Sequence, residues 1–199
     1  MRRVVCTLAV CAGLVAGAIW VFFNGLPLPV TAADRAALLT ARDLEPWIPG
    51  FAADAGEEST KKRMNFFLSR GIDTQYVYEN LKAPSVGLLC NVREEPTEQD
   101  AADSFESLVA ATRFSSRLLG FGRLLDSRIP LPSLTEQEDI LRWGDSSRFI
   151  FMSLGSSKST TFVARKGKRV FALLLVGPRI EDDGLRRVLL PRLEAISRG

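Results

Sequence analysis

Thr160-Thr161-Phe162-Val163-Ala164-Arg165-Lys166-Gly167-Lys168-Arg169-Val170-Phe171-Ala172-Leu173-Leu174-Leu175-Val176 decides the fold. Two runs rich in β-branched and aromatic residues, 160–165 and 169–176, flank a short polar turn centred on a glycine, which is the pattern of an antiparallel hairpin. Upstream, after a loop holding Pro130 and Pro132, residues 140–143 and 149–154 read as two more strands and extend the hairpin to a meander. Downstream, Glu181-Asp182-Asp183 puts negative charge at the start of a closing helix through Leu185, Val188, Leu189, Leu193 and Ile196, with Pro191 expected to kink it.

Further from this hairpin, Pro96-Thr97-Glu98 opens a long helix to about residue 119. Ala101, Ala102, Phe105, Leu108, Val109, Thr112 and Leu118 fall at helical spacing, and Gly120 is expected to stop it. Before it, residues 62–68, 74–81 and 85–92 read as strands, with Tyr76 and Tyr78 on one face and Val77 on the other. The links between them are short, so neighbouring strands should be antiparallel. Residues 51–60 read as a polar loop, and residues 32–44 as two short helices, the second capped by Thr40. The expected class is α+β, an antiparallel sheet covered by helices and preceded by an N-terminal transmembrane helix or signal segment.

That N-terminal segment, residues 1–32, precedes a single domain over residues 33–199. Arg2 and Arg3 lead an apolar run over residues 4–23 broken only by Thr7, roughly 20 residues and long enough to span a bilayer as a helix. A secretory leader usually has an apolar core of only about 7 to 15 residues, so the length favours a retained anchor. Trp20, Phe22 and Phe23 suit an interface, and the two arginines keep the start in the cytoplasm. The expected result is a single-pass membrane protein with its C-terminal domain outside the cytoplasm. Val30-Thr31-Ala32 before Ala33 also has the small residues a signal peptidase reads, so secretion after cleavage at Ala32/Ala33 is the alternative.

Composition removes several functions. The chain of 199 residues has no histidine, which excludes Ser-His-Asp and Cys-His catalysis and histidine-based zinc sites. Of its 3 cysteines, Cys6 and Cys11 lie in the apolar run, leaving Cys90 without a partner in the domain. Its apolar neighbours predict a buried and inert thiol. The net charge of +3 includes Arg2 and Arg3, so the domain is near neutral and no nucleic-acid partner is expected. Acids prevail up to about residue 106 and bases thereafter, which would make the domain electrically two-sided.

Individual motifs are weak. Gly155-Ser156-Ser157-Lys158-Ser159-Thr160 lacks the glycine spacing of a phosphate loop and leads into a strand, so it reads as a polar hairpin. Glu94, Glu95, Glu98, Asp100 and Asp103 lack the spacing of a calcium loop and suit a helix N-terminus. Tyr76, Tyr78, Trp143, Phe149 and Phe151 are expected in the sheet core. Arg165, Lys166, Lys168 and Arg169 crowd one hairpin tip and are the candidate partner- or anion-binding residues, set against an ordinary soluble turn. No catalytic, cofactor-binding or metal-binding residue is singled out, and no cofactor is expected.

Ala37-Leu38-Leu39-Thr40-Ala41-Arg42-Asp43-Leu44, Phe162-Val163-Ala164-Arg165-Lys166-Gly167-Lys168-Arg169-Val170 and the closing helix together resemble, in their order, the Mog1/PsbP-like fold. Exported mycobacterial lipoproteins and kinase sensor domains share that fold. The resemblance implies an extracytoplasmic binding or accessory module, with no shared catalytic residues to carry over. Three functional readings follow. The first is a membrane-tethered, non-enzymatic accessory or binding domain, held by residues 4–23 and serving protein partners, in one version as a subunit of a membrane complex. The second is a cell-envelope hydrolase using paired carboxylates. The third is a small-molecule sensor or carrier with an apolar pocket between helix and sheet.

Overall fold

A computed structural model of the chain describes residues 24–52, 56–66, 70–80, 86–125, 131–177 and 179–198. The apolar run of residues 4–23 lies outside them, and among the described residues no helix is long and apolar enough to cross a membrane. The elements in chain order are β1 (Leu26–Leu28), α1 (Ala32–Ala37), α2 (Ala41–Leu44), β2 (Gly56–Met64), β3 (Ile72–Asn80), β4 (Gly87–Glu94), α3 (Glu98–Leu125), β5 (Ser133–Gln137), β6 (Ser146–Leu154), β7 (Ser157–Lys166), β8 (Arg169–Val176) and α4 (Asp182–Arg198). The strands form one 8-stranded sheet ordered β1-β2-β3-β4-β8-β7-β6-β5, and every neighbouring pair is antiparallel. The class is α+β.

Strand alternation divides this sheet into two faces. One carries Tyr76, Tyr78, Leu88, Cys90, Phe149, Phe151, Phe162, Ala164, Phe171, Leu173 and Leu175, all buried beneath α1, α2 and the apolar stripe Leu185, Leu189, Leu193 and Ile196 of α4. On the other face Ile150, Val163 and Val170 meet Ala101, Phe105 and Val109 of α3, which lies across β5 to β8. Covered on both sides, β7 is buried without interruption from Thr160 to Ala164, and β8 reads as a nearly continuous apolar run. Stacked rings of Phe149 and Phe162 at 4.4 Å between centroids mark the centre of the core. At the hairpin tip Gly167 has φ +55°, a backbone region glycine enters freely.

The helical layer is pinned to the sheet by polar contacts as well. Ala41 N–H donates to the Tyr76 hydroxyl at 3.1 Å, and that hydroxyl donates to Glu58 at 2.9 Å. The Tyr78 hydroxyl donates to the Phe51 carbonyl at 2.6 Å, and Leu39 N–H donates to Cys90 Sγ at 3.3 Å. The bonds from Leu39 and Ala41 satisfy amides of the buried α1–α2 connection that no helix or strand would satisfy.

Several boundaries differ from those read in the sequence. Strand β2 begins at Gly56, inside the expected polar loop, because its outward residues are polar and a side chain at Gly56 would fall 2.0 Å from the Tyr78 ring. Residues 140–143 form no strand. Ile140 and Leu141 are buried, but their carbonyls accept hydrogen bonds from Arg186 Nε and from Ser147 Oγ, the latter at 2.9 Å, instead of joining a ladder. The edge strand in that region is β5, a mostly polar Ser-Leu-Thr-Glu-Gln run. Helix α3 continues through Gly120 to Leu125, and α4 runs through Pro191.

Two measurements check this core. Phe162→Ala is expected to cost about 3 to 5 kcal/mol of unfolding free energy, while Phe114→Ala, on a side chain 59% exposed, should change it by less than about 0.5 kcal/mol. Denaturant midpoints at equal slope measure both. Burial pushes the Cys90 thiol up from 9.0 to about 12, and the hydrogen bond from Leu39 does not reverse this. Cys90 should therefore resist alkylation in the native state and react on unfolding, as followed by peptide mapping. The stability linked to its neutral thiol is complete below pH 9.0 and lost as pH rises toward about 12.

Candidate functional site

The basic hairpin tip does not act as one patch. Alternation sends Arg165 to the α3 side, where it lies 3.5 Å from Asp145. Lys166 and Arg169 turn the other way, onto the last turn of α4. Lys166 donates to Ser197 Oγ at 3.1 Å and stands 5.8 Å over the half-buried Trp143 ring. Arg169 donates to the Ile196 carbonyl and lies 3.9 Å from Glu94. Both cations therefore close the C-terminus of a helix, where unpaired carbonyls and the helix dipole favour positive charge. Lys168 occupies the turn, its carbonyl accepting from Glu95 N–H at 2.9 Å while its side chain is exposed.

A larger concavity lies elsewhere, around the connector between β5 and β6. Two adjoining cavities of about 650 and 300 Å³ share Glu138 and Arg142. The larger reaches Asp182 and Arg186 at the start of α4, and the smaller reaches Phe105, Trp143 and Arg148 beside α3. The connector is held open because Arg186 spends its guanidinium on the Ile140 and Asp139 carbonyls, the latter at 3.3 Å. Along one wall Arg113 grips Glu136 through two bonds of 2.6 and 2.7 Å, and Arg148 bridges Glu136 at 3.3 Å and Glu138 at 2.7 Å. The Arg148 Nε is buried and has no partner among the described residues. Arg142 pairs with Asp139 at 2.6 Å, with both side chains largely in solvent.

The hydrogen bond from Arg113 holds the Glu136 carboxyl below its ordinary value, which keeps it ionised and unable to donate a proton near neutral pH. The other displaced carboxyls move the same way. At Asp34 burial works upward but Lys62 and Thr31 prevail, and at Glu45 the Ala52 and Gly50 amides pull downward. A glycosidase acid needs the opposite shift. Among the described residues no group of three acidic or cysteine side chains is placed to hold a metal ion. The groove carries charges of both signs and is bordered by Phe105 and Trp143.

The residues read as motifs take structural places. Residues 155–160 form the β6–β7 hairpin, with Gly155 at φ +60°, and no helix follows them. Glu98 and Asp100 lie in the first turn of α3, where Thr97 Oγ1 accepts from Asp100 N–H at 3.0 Å. Glu138 and Arg142, central to the groove, were not singled out in the sequence. Their signal was the mixed-charge run from Glu136 to Arg142, obscured by reading residues 140–143 as a strand.

No protein-family model matches the chain, and no curated protein matches it. Its fold is similar to the crystal structure of the extracellular domain of PknH from Mycobacterium tuberculosis. The similarity has a TM-score of 0.53 at 7% identity and covers 87% of this chain and 99% of that domain, so it is one of fold.

Proposed function

We propose that this chain is a non-enzymatic binding domain held on the extracytoplasmic side of a membrane by residues 4–23, and that the groove around Glu138 and Arg142 docks a protein partner. The observation that carries this reading is a fold shared over 99% of an extracellular domain, in a chain whose apolar run is headed by Arg2 and Arg3. Engagement of the displaced carboxyls by arginine, lysine and backbone amides supports a non-catalytic role. The space between α4 and the sheet, where an apolar carrier would need a pocket, is filled by Phe149, Phe162 and Phe171.

Retention of the N-terminal segment has support in the fold. Strand β1 pairs Leu26 with Met64 and Leu28 with Lys62, ahead of the Ala32/Ala33 cleavage point. Thr31 caps α1 in a capping box, Asp34 N–H donating to its hydroxyl at 3.2 Å and Thr31 N–H to the Asp34 carboxylate at 2.8 Å. A cut at Ala32/Ala33 removes the edge strand and a cap worth about 1 kcal/mol.

Sidedness and retention are tested together in the full-length protein. Ser156→Cys places a thiol on an exposed turn, and a membrane-impermeant maleimide should label it in intact cells. Mass analysis should place the mature N-terminus before Leu26. Labelling only after lysis sinks the extracytoplasmic reading, and a chain starting at Ala33 sinks the tether.

Docking is tested separately in native membranes. A photo-crosslinking residue at Arg142 should yield a discrete adduct, while the same residue at exposed Glu57, near the opposite sheet edge, should not. Recovery of a lone species from both positions would refute the partner.

A further inference from the structure

A smaller cavity at the other end of the strands differs from the groove in its charge. The register sets Ser133 opposite Ser153 and Thr135 opposite Phe151 on β5 and β6, then Phe151 opposite Thr160 and Ser153 opposite Lys158 on β6 and β7. Paired residues share a face, so four hydroxyls and an ammonium surround one phenyl ring on the α4 side of the sheet. Arg179, between β8 and α4, brings its guanidinium to 4.2 Å over that ring. These side chains line a cavity of about 200 Å³ in which Lys158 and Arg179 are the charged residues, with no carboxylate in the lining.

The neighbouring contacts leave Lys158 available and Arg179 held only at its edge. Among the described residues Lys158 has no ion-pair partner, and Arg179 reaches Asp182 at 3.5 Å, with both side chains about half exposed. Ser133 Oγ and Ser153 Oγ are 2.7 Å apart. One hydroxyl donates to the other, so the accepting hydroxyl keeps its proton for a ligand. Two cations and several hydroxyl donors converging on a small space match a tetrahedral oxyanion, whose terminal oxygens take up several donors at once. The volume is below the 300 to 1,000 Å³ or so of a whole small-molecule site, so it suits a charged head group whose remainder lies outside.

We propose that this cavity binds the phosphate of a phosphate monoester. The assignment gives a ligand class to the binding domain proposed above and rests on that reading for the compartment in which the ligand is met. Phosphate monoesters occur both in soluble metabolites or glycans and in lipid head groups, and the cavity recognises what they share.

The test is calorimetric titration of the full-length chain in neutral detergent with inorganic phosphate, glycerol 3-phosphate and dihexanoyl phosphatidic acid. Saturable binding to at least one probe is expected, weakened tenfold or more in the Lys158→Gln/Arg179→Gln double variant and unchanged in Lys168→Gln. Both altered side chains are exposed, so the circular dichroism spectrum should match the parent. Ser133→Ala supplies a second variant that keeps the charge and should weaken binding by a smaller factor. Binding of glycerol 3-phosphate supports a soluble ester, and binding confined to the lipid supports a head group. Absence of saturable binding to all three probes, or binding untouched in the double variant, overturns the proposal. Impermeant labelling of Ser156→Cys reports sidedness independently, so an error about the compartment is distinguishable from an error about the phosphate.

Discussion

The pairing of β4 with β8 is the constraint on which the structure depends. Each of the other pairings from β2 to β4 and from β5 to β8 joins strands consecutive in sequence, whereas Gly87–Glu94 lies against Arg169–Val176 across most of the second half of the chain. Closing so long a loop is entropically costly, and the ladder offsets it with a run of apolar pairs on the helix-covered face: Leu88 with Leu175, Cys90 with Leu173 and Val92 with Phe171. Without this ladder two separate meanders would each expose a flat edge. With it, one core runs from Tyr78 to Phe149, and α3 carries the chain from the middle of the sheet to its far edge.

Helix α4 completes the fold because both of its ends are tied to strand connections by cations. Arg186, one turn in, binds the Ile140 and Asp139 carbonyls, and Arg169 binds the Ile196 carbonyl at the other end. Arg192 between them reaches Asp43 at 2.5 Å and the Ala36 carbonyl at 3.2 Å, which locks α1 and α2 against the same helix. The arrangement explains why the basic hairpin tip is less available to partners than its composition implied. The contact of Arg186 with the connector also shapes the groove, so a structural tie and the candidate docking surface share one side chain.

How much of this was legible depends on whether a strand's burial is written in its own residues. Strand β8 was read at its observed limits because both faces are covered and Val170 to Leu175 leave little polar ambiguity. Cys90 was read correctly as buried because its neighbours on β4 are apolar. Strand β2 was missed at its start because Gly-Glu-Glu-Ser-Thr looks like a loop, and only Tyr78 across the ladder explains the glycine. Residues 140–143 misled in the opposite direction, since Ile140 and Leu141 are apolar and buried while their carbonyls are served by side chains. The groove and the phosphate cavity depend on side chains from three or more elements, and no local pattern records such convergence.

The charge division of the sequence, acids first and bases later, suggested an electrically two-sided domain. The β4–β8 ladder interleaves the halves instead, bringing Arg169 to Glu94, while α4 brings Arg192 to Asp43. Within the first half Lys62 is paired with Asp34 at 2.8 Å and Arg93 with Asp73 at 2.7 Å. The pairs across the halves therefore offset part of the asymmetry, and partly exposed pairs of this kind add little stability individually. What distinguishes a functional cation in such a surface is the lack of a carboxylate beside it together with a concave wall of donors. At the hairpin tip, although it is denser in charge, Arg165 and Arg169 have carboxylates beside them and Lys166 is engaged by Ser197 and Trp143, whereas Lys158 meets both conditions and Arg179, half exposed beside Asp182, lines the same concave wall.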